Sequence, residues 1–448
     1  MSPSNRVSRR MVMLRPLLAA GVLPLIACDG LGGTEHTTGA AGATGEPVTV
    51  TFMSRTAEEE AFTKRVAEFQ GEYPRIRLDY QPLSGNYLEV VRTNAAAGTL
   101  ADVVYMSNLL FEGLAVGGSI QPLDPLVRRD KLNLKQWYDK GVESLRLDGK
   151  LFGLPARGQI AYCYLFYNRD AFQEAGLREP TDRWTLDNLV SAAETLTIRD
   201  GSRHGIGIQW GNFQQTTAAI RRFGGELLSA DGKTCLADSP QALASMQWHW
   251  DLWHRRQVMA VKTVSNGDFG NGKVAMAGQK LAGARGGIKN AVKESFAWSI
   301  ALMPKGPAGK HGAILSVALI GLKADTRVAD QGWEVVKWFT NKDTGIELGL
   351  QTRGSNTPGM RRDVYCDERM LSDPRHAREV MERICKAMDL ASTVTYSVPA
   401  NFRQPEVDEV VQKHMHAFRE NTATPSAAAM RAFAAELQAV LDRPRAGG

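Results

Sequence analysis

From Pro47 to Ser107 the chain switches repeatedly between two incompatible hydrophobic periods, and this alternation constrains its fold more than any other feature. PVTVTFMS is β-branched with a period of two, as a half-buried strand requires. RTAEEEAFTKRVAEFQGEYP follows, with Phe62, Val66, Phe69 and Tyr73 at intervals of four, three and four, one face of a helix. Thr56 and Glu59 have the spacing of a capping box at its start. The pattern then recurs as strand RIRLDYQPL, helix YLEVVRTNAAAG and strand ADVVYMS. Strands that alternate with helices predict an α/β fold, a mainly parallel sheet covered by helices on both faces.

Further along, VESLRLDGKLFGLP reads as two short extended runs around Asp148-Gly149, a hairpin signal. Ile160 to Asn168 (IAYCYLFYN) is a long extended run that would carry the chain out of its first unit. Thr185 caps a helix lined by Leu186, Leu189, Val190, Ala193 and Leu196. AILSVALIGL, Ala313 to Leu322, reads as a buried strand, followed by a helix with Ala329, Trp333, Val336 and Phe339 inward. The last helix opens at Thr424-Pro425 and buries Met430, Phe433, Leu437 and Val440. A chain of 448 residues accommodates two domain-sized units.

The first residues follow a different logic. A basic stretch containing Arg6, Arg9, Arg10 and Arg15 precedes an apolar run from Pro16 to Ala27, too short to span a bilayer and typical of a secretory signal. Leu25-Ile26-Ala27-Cys28 is similar to a bacterial lipobox, which makes Cys28 the lipidated first residue, and Ser8-Arg9-Arg10 is a partial twin-arginine pattern. Those four arginines carry most of the net charge of +6, leaving +2 without them, and no basic stripe of the kind nucleic acid requires. DGLGGTEHTTGAAGATGE reads as a flexible tether. Cys163, Cys235, Cys366 and Cys385 fit no zinc pattern; an exported chain can join them, Cys366 with Cys385 for example, or bury them as free thiols.

Catalytic signatures are scarce. Gly267, Gly272 and Lys273 in NGDFGNGKVAM have the spacing of a phosphate loop, but Val274 stands where a hydroxyl should hold magnesium and no buried strand precedes it. There is no G-x-S-x-G, H-E-x-x-H or C-x-x-C, so neither metal nor cofactor is expected. His249 and His254 are poorly placed on a helix to share a metal, and the tryptophans beside them favour packing; His414 and His416 would diverge. Glu58 and Asp102 are candidates for a glycosidase pair, which needs only two suitably spaced carboxyl groups. A ligand crevice is the stronger expectation, because loops at the carboxyl ends of strands in open α/β sheets form one. Those loops carry Arg55, Glu58, Ser107 and Asn108, with Arg157 and Gln159 before the long extended run, and Trp210 and Phe213 after HGIGIQ. Polar forks together with flat aromatic faces suit a polyhydroxylated solute.

The order of these segments resembles the extracellular solute-binding proteins of bacterial ABC importers, in the sugar-binding group similar to maltodextrin-binding proteins. The most specific block is LFGLPARGQIAYCYLFYNRDAFQEAGLREPTDRWTLDNLVSAAETLT. NGDFGNGKVAMAGQ, PKGPAGKHGAILSVALIGLKADT, WEVVKWFTNKDTG and RGSNTPGMRRDV also follow the family's course. The resemblance implies a two-lobed periplasmic-binding-protein fold of the class II type with ligand between the lobes. Residues 47–160 and 312–350 form one lobe and 161–311 and 351–448 the other, after a signal peptide of residues 1–27 and a tether of residues 28–46. Lys280 and Arg353 join Trp210 and Phe213 as second-lobe ligand contacts. The implied partners are a small-molecule ligand, a carbohydrate in the first instance, the membrane permease, and the membrane through Cys28, with the protein a monomer outside the cytoplasmic membrane. Gln279-Lys280-Leu281 stands where the family often has an aromatic residue, GAILSVALIG lacks a tryptophan often found there, and Leu100-Ala101 replaces a usual proline; these departures admit acidic or amino-modified sugars. A sensory binding protein and a secreted glycoside hydrolase are the alternatives.

Overall fold

The alternation at the head of the chain becomes three parallel strands, β1 (Val48–Arg55), β2 (Ile76–Leu83) and β3 (Val103–Ser107), with β1 between the other two. The computed structural model describes residues 46–445 apart from 109, 261–263, 282, 355 and 396–397. The signal peptide, Cys28 and nearly all of the tether lie outside the described residues. Helix Glu59–Glu72 buries Phe62 and Phe69 on the sheet, and helix Ala329–Phe339 lies beside it. Phe339 brings its ring 4.8 Å from Phe52 of β1 and 5.2 Å from Phe62. Each such pair contributes about 1 kcal/mol beyond the area it buries.

The expected cap of that first helix does not form. Thr56–Glu58 is a single 3-10 turn, neither Arg55 nor Glu58 makes a side-chain cap, and the α-helix starts at Glu59. The turn rotates Glu58 inward, where two arginines hold it, so the local capping preference yields to an ion pair.

The hairpin has arms β4 (Arg146–Leu147) and β5 (Lys150–Leu151). Asp148 and Gly149 between them have φ of 49° and 77°, the left-handed pair that a two-residue hairpin turn demands. The long run Ile160–Asn168 breaks at Tyr162, whose φ is 61°. Before the break lies β6 (Leu154–Ala161), an edge of the first sheet; after it lies β7 (Tyr164–Asn168), inside a second sheet. With β8 (His204–Ile208), β9 (Val274–Lys280) and β10 (Trp298–Leu302), the second sheet has the order β10-β7-β9-β8. The chain then returns as β11 (Ile314–Leu322) and inserts between β3 and β6, antiparallel to both, completing the order β2-β1-β3-β11-β6.

Helix Leu186–Leu196 covers the second sheet with the expected apolar face, and its start is a reciprocal cap between Thr185 and Asn188. It lies flush on β8 at Gly205, where a Cβ would come within 1.9 Å of the Ala193 carbonyl oxygen. The two C-terminal helices, Gln404–Arg419 and Ala427–Leu441, add Val407, Val411, Met415, Met430, Phe433 and Leu437 to the same core. NGDFGNGKVAM forms a short helix, Asn266–Gly270, capped by Ser265, a turn at Gly272 and then β9. Helix before strand is the reverse of a phosphate loop.

Cys366 and Cys385 are disulfide-bonded, whereas Cys163 and Cys235 are buried free thiols. The bridge closes a loop with a sequence separation of 19. By loop-closure entropy such a cross-link stabilises by about 3 kcal/mol. Replacing both cysteines by serine is expected to lower the urea midpoint accordingly and to steepen the slope, because the unfolded chain without the cross-link exposes more surface. Gly205→Ala is expected to destabilise by about 2 kcal/mol or more through overpacking, read from the same titration.

Candidate functional site

Three adjacent strands of the first sheet give the site its floor. In the sheet register Ala318 of β11 lies opposite Ser107 of β3 on one side and Arg157 of β6 on the other. Two residues back, Ser316 lies opposite Gln159. Because strand side chains alternate between faces, these five residues share one face. The short side chains of Ser316 and Ala318 leave a trough between longer neighbours. Arg55, at the end of β1, and the segment after β2 containing Gly85, Asn86 and Tyr87 close one side; Gln214 and Thr357 reach in from elsewhere. The cavity, open on one side to solvent, is about 450 Å³. It stands at the carboxyl ends of the parallel strands.

Beneath the wall lies a buried carboxylate. Glu58 is fully buried; both of its oxygens face Arg55, with Nε at 2.9 Å from Oε2, and Oε1 lies 3.3 Å from Nη1 of Arg157. Arg157 also donates from Nε to the Tyr105 hydroxyl at 2.6 Å, and the Arg55 guanidinium sits over the Tyr105 ring, 5.6 Å from its centre. Tyr87 donates to the Tyr105 carbonyl oxygen at 2.6 Å, fixing the strand beneath the pair. Burial opposes the charge of Arg55, but Tyr105 and the Glu58 hydrogen bond outweigh it and hold the guanidinium above its ordinary value. Burial pushes Tyr105 up to about 12 despite the nearby arginines, so it remains a neutral hydroxyl. Glu58 is therefore a positioning residue: it fixes two guanidinium planes from behind.

The remaining polar groups divide into occupied and unoccupied. Gln159 accepts from the Gly283 N–H at 3.2 Å and donates to Thr357 Oγ1 at 3.4 Å. Gln214 accepts from the Tyr162 hydroxyl at 3.1 Å. By contrast Ser107 Oγ and Asn108 Nδ2 are buried on the cavity wall with no partner among the described residues. Leaving a buried polar group unpaired costs about 1–3 kcal/mol, which makes these two, on a cavity wall, candidate contacts for a ligand.

Of the residues singled out in the sequence, Arg55, Ser107, Asn108, Arg157 and Gln159 line this cavity and Glu58 lies behind it. The other four lie elsewhere. Trp210 is buried against His249 and Trp253, with ring centres 4.2 and 5.2 Å away. Phe213 is in the second core, its N–H donated to Asp408 at 2.7 Å. Lys280 is buried and donates to the Val264 carbonyl oxygen at 2.8 Å; burial brings its amine down to about 8. Arg353 is exposed on a loop whose backbone is tied to Glu60 of the first helix. Asp102 accepts from Thr51 and Thr326 at the amino end of β3, about 16 Å along the strand from Ser107 at 3.3 Å per residue. Asn86, Tyr87, Tyr105, Gln214, Ser316 and Thr357 were not singled out. Asn86 and Tyr87 follow β2 as Ser107 and Asn108 follow β3, so the same carboxyl-end rule applies to them; the others carry no local signal.

Residues 54–346 match the family described as bacterial extracellular solute-binding protein. A putative binding protein of Brucella abortus is 24% identical over 287 residues, 61% of this chain and 67% of its own. An uncharacterised ABC transporter extracellular-binding protein of Pyrococcus horikoshii is 23% identical over 221 residues, 47% of this chain and 50% of its own. Among solved structures, an ABC substrate-binding protein of Listeria monocytogenes in complex with cycloalternan superposes with a TM-score of 0.74 at 16% identity, covering 88% of this chain and 99% of that one. UgpB of Mycobacterium tuberculosis in complex with glycerophosphocholine gives 0.73 at 19% identity, covering 89% and 99%. At these identities the superpositions establish the fold.

Two outcomes are expected from the buried charges. Glu58→Gln leaves two guanidinium groups facing each other without their acid and is expected to cost about 3 kcal/mol, measured by urea denaturation. His249 is fully buried and burial lowers its pKa to about 3. The unfolded chain therefore takes up a proton near pH 6.5 that the folded one refuses, so stability is complete above that value and falls as the pH drops towards 3. Melting curves should show a smaller loss over this window for His249→Phe than for the parent protein.

Proposed function

Because the chain belongs to the bacterial extracellular solute-binding proteins, we propose that the cavity captures a carbohydrate or a close derivative and presents it to the permease of an ABC importer. The observation that carries this reading is the composition of the cavity. Polar side chains from β3, β6 and β11 share it with Gln214, from a helix packed in the second core, and among the described residues no carboxylate lines it. A glycoside hydrolase would need two facing acids. Here Glu58 is held behind the wall and Asp102 lies at the other end of its strand. The cycloalternan complex of the Listeria monocytogenes neighbour supports a saccharide as the solute class.

In this reading residues 47–160 and 312–350 act as one lobe, residues 161–311 and 351–448 as the other, and the segments at Tyr162 and between β10 and β11 as the hinge. Contacts of one solute with both lobes favour the closed arrangement, which the permease recognises. Lipid attachment at Cys28 keeps the protein, a monomer, at the outer face of the cytoplasmic membrane. A sensory role would use the same closure with a receptor in place of the permease.

A thermal-shift screen of the purified protein against mono-, di- and oligosaccharides, sugar acids, polyols and amino acids tests the reading. A solute at a hundred times its Kd stabilises by about 2.7 kcal/mol and is expected to raise Tm by several degrees. The solute should be recovered unhydrolysed; turnover would overturn the assignment. Asn108→Ala is expected to weaken binding by about tenfold, consistent with one lost hydrogen bond, in calorimetric titration.

A further inference from the structure

Resting on the solute-capture reading, we infer that the solute carries one oxyanion, a carboxylate, and that Arg55, Arg157 and Asn108 form its seat. Three features of the cavity lead there. Among the described residues, the charged side chains on its wall are Arg55 and Arg157, with no acid, lysine or histidine beside them. Glu58 behind the wall balances one of the two positive charges, so the described lining retains a charge of about +1 in a partly enclosed space, where an unscreened charge acts over several ångströms. The Arg55 side chain, 32% exposed, and that of Arg157, 17% exposed, still reach the cavity although both meet Glu58.

Hydrogen-bond polarity points the same way. Two side-chain acceptors on the wall are already engaged: Gln159 Oε1 receives the Gly283 N–H and Gln214 Oε1 receives the Tyr162 hydroxyl. The buried amide donor of Asn108 is without a partner among the described residues, and the Ser107 hydroxyl beside it can turn to donate. A neutral sugar offers donors and acceptors together, and its hydroxyl protons gain nothing from the two guanidinium groups, which only donate. A carboxylate offers acceptors only and matches the planar guanidinium fork. A phosphate monoester shares that chemistry but brings up to two charges against one, which favours the carboxylate.

Glu58 also explains why the seat is rigid. Guanidinium groups clamped from behind keep their planes without a ligand, so binding need not order two long side chains.

Isothermal titration of the full protein with matched sets tests this: glucose, glucuronate and glucose 6-phosphate; galactose and galacturonate; cellobiose and cellobionate; and malate as an acid without a sugar. The expected result is that in the set that binds, the acid binds at least about tenfold more tightly than its neutral partner, with the advantage shrinking as sodium chloride rises. Arg55→Gln should abolish that advantage, with its melting curve confirming a folded protein; the comparison within the parent protein needs no variant. Equal or tighter binding of the neutral sugars overturns the inference and leaves solute capture standing. Tighter binding of the phosphate ester overturns the carboxylate, and binding of malate alone overturns the sugar reading while supporting the seat. Silence from every probe overturns both.

Discussion

The return of the chain as β11 between β3 and β6 is the constraint on which the rest of the architecture depends. A strand placed there must hydrogen-bond on both sides, and it does so in register with Ser107, Met106 and Tyr105 on one edge and with Ala161 through Arg157 on the other. Everything from β7 to β10 is therefore an insertion into the first sheet, held by one departure at Tyr162 and one return before Ile314. The contacts along β11 are close. A Cβ on Gly321 would meet the Phe152 carbonyl oxygen at 2.4 Å, and one on Gly158 of β6 would meet the Ser316 carbonyl oxygen at 2.8 Å. The strand that closes the sheet also supplies the small side chains, Ser316 and Ala318, that leave room for a cavity.

Glu58 plays a comparable part on a smaller scale. Burying a carboxylate is costly unless it is paired and hydrogen-bonded, and this one has two guanidinium partners. The balance is local but its consequence is directional: both arginines are drawn towards one carboxylate, Arg55 from the end of β1 and Arg157 from the middle of β6. The 3-10 turn that carries Glu58 inward replaces the helix cap that Thr56 and Glu59 would otherwise make. A local preference worth about 1 kcal/mol is displaced by a pair that fixes the site's geometry.

How much was legible in the sequence follows from the range of each interaction. Helix Leu186–Leu196, the Asp148-Gly149 hairpin and the buried strand Ile314–Leu322 are set by residues within a few positions of one another, and their patterns are visible in the chain. Arg55, Ser107 and Asn108 were within reach because the end of a parallel strand is a position as well as a residue type, and Arg157 and Gln159 because they immediately precede the long extended run. Trp210 was not: its ring is committed to His249 and Trp253, residues of a distant helical segment, and nothing near Trp210 announces them. Lys280 is similar, since its partner is a backbone carbonyl at Val264. Tyr105 was hidden for the opposite reason, as it reads as one more apolar strand residue until Arg157 crosses the sheet to its hydroxyl.

The unpaired groups connect the geometry to closure. Ser107 ends β3 and Asn108 follows it, and Gln214 belongs to a helix packed in the second core. A solute that satisfies the first two and also reaches Gln214 lowers the energy of arrangements in which the two layers are close, and leaves separated ones unaffected. Its contribution to closure is only the difference between those arrangements, because contacts made equally in both shift nothing. The arginines, fixed by Glu58 irrespective of any solute, supply affinity of the uniform kind. Gln214 is tethered to Tyr162, the residue at which the chain crosses between sheets, so in the proposed reading binding and hinge movement would meet there. In the proposed reading, recognition on the first sheet and closure through the second fall to different side chains, and a solute that drives closure is one long enough to engage both.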